Sequence, residues 1–177
     1  MTQKIDLSLP PAAPAAYISK YQRESNELLS ALYTLVPLSE DELKEVAITC
    51  ENECGLGEDQ AGNVVTPAPQ PHHVSLPLRA VYESHMDKIS HGESGYNSFN
   101  FVVVVDQNWK ENGVLLVTLY TQDDPPRIDS FMCPAAEVGL LLQNLWVANM
   151  GWEELKESYQ IGAGRATGDN HNEVYGS

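Results

Sequence analysis

Apolar residues concentrate most tightly between Phe99 and Thr121, FNFVVVVDQNWKENGVLLVTLYT. Phe101 to Val105 and Val114 to Tyr120 are dominated by β-branched, aromatic and leucine residues, the composition of strands with buried faces. Between them stands Asn112-Gly113, the dipeptide that best tolerates the positive φ angles of a tight hairpin turn. With that dipeptide as the turn, Glu111 faces Val114, Trp109 faces Leu116 and Val105 faces Tyr120. One face then carries Phe101, Val103, Val105 and Trp109 with Leu116, Thr118 and Tyr120. The other carries Val102, Val104, Leu115, Val117 and Leu119. Two apolar faces require cover on both sides, so the hairpin is expected at the centre of the fold. A register slip of one residue would exchange the faces.

Helical spacing flanks this hairpin. Tyr17, Tyr21, Leu28, Leu32 and Leu35 or Val36 predict an amphipathic helix from Ala15 to Val36, stopped by Pro37. Ser39 followed by Glu42 is a capping-box pattern and predicts a short second helix, with Val46 to Thr49 readable as helix or strand. Leu78, Val81, Tyr82, His85 and Ile89 predict a helix over 76–90. Pro134 as a first helical residue, followed by Val138, Leu141, Leu142, Leu145 and Trp146, predicts a helix over 134–150 that covers the sheet. A strand is expected at Arg127 to Met132 and a last short helix at Trp152 to Tyr159. The fold class expected is α+β: an antiparallel sheet centred on the 99–121 hairpin and packed by three or four helices.

Three segments lack such periodicity. Residues 1–14 end in PPAAP and read as an extended arm. Residues 51–71 hold three glycines and three prolines and read as a long loop, a first place to look for a site. Residues 162–177 have little to bury and read as a flexible tail. The domain expected is therefore a single unit over 15–161.

Charge changes the picture more than size does. The chain has 177 residues, 25 Asp and Glu against 10 Lys and Arg, and a formal net charge of −15. That sign disfavours nucleic acid and anionic lipid and favours a basic protein partner or a cation. The N-terminal residues hold no apolar run of signal-peptide length and no window approaches a membrane span, so the chain reads as cytoplasmic. Three cysteines at irregular spacing form no disulfide framework and fit that compartment.

Candidate chemistry is sparse. Cys50 and Cys54 with His72 and His73 supply the two-thiolate, two-imidazole set that zinc prefers, although the spacing is unusual for a structural site. A thiol pair in a glycine-rich segment also suggests redox response. His85 and His91, near Glu83 and Asp87, could titrate, but His85 shares the buried face of its helix. Asp106, Asp123, Asp124 and Asp129 cluster at the sheet ends as exposed turn carboxylates able to steer a cationic partner. Gly162 to Gly168 superficially resembles a phosphate-cradling loop but follows a helix instead of a strand. Nucleophile motifs are absent, and Cys133 before Pro134 sits at an expected helix N-terminus, where a thiolate would be stabilised.

Three functional expectations follow. The first is a small acidic binding protein, of inhibitor or immunity type, that neutralises a basic partner through Asp106, Asp123, Asp124 and Asp129. The second is a metal-dependent enzyme or redox-responsive protein using Cys50, Cys54, His72 and His73. The third is a structural subunit of an assembly, tethered by its proline arm.

Overall fold

The computed structural model describes residues 4–24, 27–54, 64–92 and 95–166, without the side chains of 160–166. The chain is α+β, but its sheet is mixed, in strand order β2-β1-β3-β4-β5. The strands are β1 (Ser30–Thr34), β2 (Val65–His72), β3 (Asn100–Val104), β4 (Val114–Thr118) and β5 (Asp129–Cys133). β1 is parallel to both β2 and β3, whereas β3, β4 and β5 run antiparallel in turn. Six α-helices surround the sheet among the described residues: α1 (Ala15–Glu24), α2 (Glu40–Cys50), α3 (Leu78–Ser90), the single turn α4 (Trp109–Asn112), α5 (Val138–Trp146) and α6 (Trp152–Ala166).

Side-chain alternation on the strands divides the core in two. Leu32, Val102, Val104, Leu116 and Phe131 face α2, α5 and α6, while Ala31, Tyr33, Phe101, Leu115 and Val117 face α1 and α3. The sheet is thus the middle of three layers. Both of its faces are dry, which is why its strands read as unbroken apolar runs.

The helix expected over 15–36 is corrected: it ends at Glu24, and Ser30–Thr34 is a strand whose five residues are all buried. Helical spacing through Leu28 and Leu32 was ambiguous because a short apolar run suits a buried strand equally well. The long loop over 51–71 is corrected too, since β2 occupies its last third despite Pro67, Pro69 and Pro71, while 55–63 lie outside the described residues. An edge strand allows this. Ser30 N–H donates to Val64 O at 2.7 Å, so residues of Val64 parity bond β1 and the nitrogen of Pro67 faces the open edge, before the register shifts between Pro67 and His72.

The hairpin exists, but its register differs. Phe101 faces Val117 and Val103 faces Leu115, seven positions from the expected pairing. The shift is odd, so Phe101 and Val103 share a face with Leu115 and Val117, the reverse of the expected partnership. The cause is α4. Gly113, at φ +82°, ends that helical turn with its N–H on Trp109 O at 2.9 Å, and Trp109 is buried against the α2 side. Asn112-Gly113 is therefore a helix stop.

The Ser39 capping box forms as expected, and α2 continues through Val46 to Thr49. The 134–150 helix is shorter: Ala135–Glu137 is a 3₁₀ turn and α5 stops at Trp146. α6 runs on to Ala166, which corrects the start of the expected tail; 167–177 lie outside the described residues. The arm lies across the body, with Asp6 O accepting from Leu78 N–H at 2.9 Å and Pro11 O from Ile128 N–H at 3.0 Å.

Candidate functional site

The expected carboxylates do not form one surface. Asp106 follows β3 at one end of the sheet, where its two oxygens accept from Asn108 N–H at 2.8 Å and Asn112 Nδ2 at 2.7 Å and so order the approach to α4. Asp123 and Asp124 lie between β4 and β5 at the other end, and Asp129 opens β5. Asp129 is used internally. It accepts from Lys156 Nζ at 2.7 Å and Trp152 Nε1 at 2.9 Å, binding α6 to β5. Burial alone would raise its carboxyl, but bonds from Lys156, Trp152 and Ser130 outweigh that and hold it below the usual carboxylate range.

The four residues of the expected zinc set are divided between the two ends of β2. Cys50 and Cys54 sit near the start of β2, where Glu51 Oε1 receives Val64 N–H at 2.9 Å and Val65 N–H at 3.0 Å. His72 and His73 sit at its far end, on the order of 20 Å away for a strand of this length. Among the described residues, no group of three or more His, Cys, Asp or Glu is placed to hold a metal ion. Burial pushes the Cys50 thiol far up and the Cys54 thiol up to about 11, the opposite of an activated thiolate. Cys133 closes β5 instead of opening a helix, and burial pushes it up to about 12.

His85 is a satisfied core histidine. Its Nδ1 lies 3.0 Å from Tyr33 Oη and its Nε2 3.1 Å from Asn97 O. A carbonyl only accepts, so Nε2 carries the proton and Tyr33 donates to Nδ1. His91 is exposed and donates from Nδ1 to Asp87 O at 2.8 Å. The glycine series from Gly162 lies partly within α6 and partly outside the described residues.

A surface the sequence reading missed lies beside Asp123 and Asp124. The turn from α5 to α6 approaches the sheet end and leaves a shallow groove of about 210 Å³, lined by Phe99, Tyr120, Gln122, Trp146 and Met150 among others. Trp146 was expected to cover the sheet, yet it is 46% exposed and Val147 59% exposed. Val138, Leu141 and Leu142 already fill the buried stripe of α5. The available signal was Trp146-Val147 at the helix end, two adjacent large apolar residues that one stripe cannot bury together. Acidic residues flank the lining in sequence: Asp123 and Asp124 follow Gln122, and Glu153 and Glu154 follow Trp152 in the first turn of α6. Arg127 joins the two flanks, with Nε 2.8 Å from Asp123 and a guanidinium nitrogen on Glu153. The side-chain bond from Arg127 is the main cause holding the Asp123 carboxyl below its ordinary range.

A protein-family model described as "Domain of unknown function (DUF6924)" matches residues 41–164, a span that includes this groove and its acidic flanks. The chain belongs to that family. No curated protein and no solved structure matches it. The family segment begins within α2, so β1 and the arm precede it. No helix among the described residues is long and apolar enough to cross a membrane.

Proposed function

We propose that this member of the DUF6924 family is an acidic binding protein that engages a basic protein partner through the α5–α6 turn and the β4–β5 loop, in the manner of an inhibitor or immunity protein. The observation that carries the reading is the half-exposed Trp146 and exposed Val147 beside a groove whose lining is flanked in sequence by Asp123, Asp124, Glu153 and Glu154. Interfaces concentrate binding energy in an aromatic anchor surrounded by polar residues, and charge complementarity at the rim governs encounter rate. Arg127 orders the flanking carboxylates before any partner arrives, which lowers the entropic cost of association. Of the four aspartates expected from sequence, Asp123 and Asp124 belong to this surface. Asp129 supports it from beneath, and Asp106 lies at the opposite sheet end.

The test is association kinetics with a basic protein captured at low salt, using the wild type, Trp146→Ala and the pair Asp123→Lys, Asp124→Lys. The reading expects Trp146→Ala to speed dissociation about thirty-fold, as loss of a hot-spot side chain does. It expects the charge reversals to slow association mainly, and raised salt to slow wild-type association. A captured partner indifferent to both variants, or one of acidic charge, would overturn it.

A further inference from the structure

The structure assigns a second, separate site to the cleft at the carboxyl ends of β1 and β3, and its chemistry fits a small organic ammonium compound with an apolar body. The cleft has a volume of about 940 Å³. Its position follows from topology: β1 leads through α2 to β2 on one side of it in the sheet, while β3 leads through α4 to β4 on the other. The loops leaving β1 and β3 therefore part, and in open sheets with helices on both faces ligands bind where strand order reverses, outside the carboxyl ends. The volume lies in the range of small-molecule sites.

The lining selects the ligand. Leu35, Pro37, Leu76 and Val105 contribute apolar walls, and Asp106 and Asp6 contribute carboxylates. The Asp106 oxygens are fixed by Asn108 and Asn112, and Asp6 Oδ1 by Ser8 N–H at 2.9 Å. Each carboxylate retains lone pairs for another donor. Sites at this position often hold phosphate on a helix N-terminus, and at both nearby termini here acceptors of the chain itself already take up N–H groups. The first N–H of α3 is bonded to Asp6 O at 2.9 Å. The start of α2 is closed by the Ser39–Glu42 box, which adds a carboxylate of its own. Those N–H groups are thus withdrawn from an incoming anion. Lys4, on the arm, is the one cation among the described residues that line the cleft.

The test is an amide-resolved NMR titration of the full chain with phenethylamine, 2-phenylethanol and 3-phenylpropionate. The expected result is saturable shifts at Val36, Leu76, Val105 and Gln107 with phenethylamine, and binding at least about five-fold weaker for the alcohol and the acid. Leu76→Trp, at a position 47% exposed, fills the mouth and should abolish the shifts without unfolding the chain. Asp106→Asn should weaken binding about ten-fold. Because Asp106 also orders the turn before α4, Asp6→Asn is the second variant and should weaken binding in the same direction. Absence of saturable shifts, equal binding of amine and acid, or shifts that survive Leu76→Trp would overturn the assignment. The cleft lies at the sheet end opposite Trp146, so each outcome is independent of the partner-binding reading.

Discussion

Tyr33, His85 and Asn97 form a hydrogen-bonded line through the layer between the sheet and α3, and the histidine in its middle is 1% exposed. Burial, the largest cause, lowers the His85 pKa to about 4, outweighing the backbone bonds that favour its charged form. A folded pKa below the unfolded one means that protons bind the unfolded chain more tightly. The stabilisation is therefore complete above about pH 6.5 and declines as pH falls toward 4, by roughly 3 kcal/mol at the lower limit. The half-buried His73 shifts in the same direction, burial again being the largest cause. Urea unfolding at pH 7.0, 5.5 and 4.5 should show this decline, and His85→Gln should flatten it. Wild-type stability that is level across the window would refute the assignment of a neutral His85. Asp129 behaves oppositely: its lowered carboxyl pKa gives stability present above about pH 4 and lost only as pH falls through the still lower folded value. Replacing it with Ala leaves Lys156 and Trp152 Nε1 without their acceptor in a largely buried setting and should cost roughly 3 kcal/mol. An unfolding midpoint equal to that of wild type would count against this structural role.

Two glycines fix how elements approach one another. A Cβ on Gly113 would lie 2.2 Å from Cys133 O, in a backbone conformation that other residues rarely adopt. Gly113→Ala should therefore destabilise by roughly 3 kcal/mol or more, read by chemical denaturation. On α5, a Cβ on Gly139 would lie 2.1 Å from Cys54 Sγ and 2.6 Å from Cys50 O. Gly139→Ala should also destabilise, and adding Cys54→Ala should restore only part of the loss because the Cys50 carbonyl remains. Complete rescue by the double variant would show that the thiol alone limits the approach. These contacts explain what could be read in advance. The Ser39 capping box, the helix through Val81 and His85, and the β-branched run of β3 are local signals, and each formed where its residues indicated. Asn112-Gly113 misled because Trp109 finds burial against the α2 layer and so draws the preceding residues into a helical turn. Ser30–Thr34 misled because its parallel partners lie about thirty-five and seventy residues downstream. The aspartates of the candidate surface were visible as turn residues. The difference between Asp129 and Asp124 was not, since it depends on Lys156 and Trp152 arriving from another helix.

At the scale of the molecule, the excess of carboxylates gives a field that attracts cationic macromolecules over the Debye length, about 8 Å at physiological salt. Charge alone does not choose a contact surface, and the aromatic groove beside α6 supplies that choice in the proposed reading. The two ends of the sheet are chemically different: one presents Trp146 with ordered carboxylates, the other an apolar cleft lined in part by the arm. Raising salt from 50 to 500 mM should slow partner association by about ten-fold or more while leaving dissociation nearly unchanged. Equal salt sensitivity in a variant carrying both lysines at 123 and 124 would place the steering elsewhere on the surface. The most direct measurement is hydrogen–deuterium exchange of the chain alone and saturated with its captured basic partner. The account predicts protection confined to residues 118–124 and 145–154, and protection centred on any other face would contradict it.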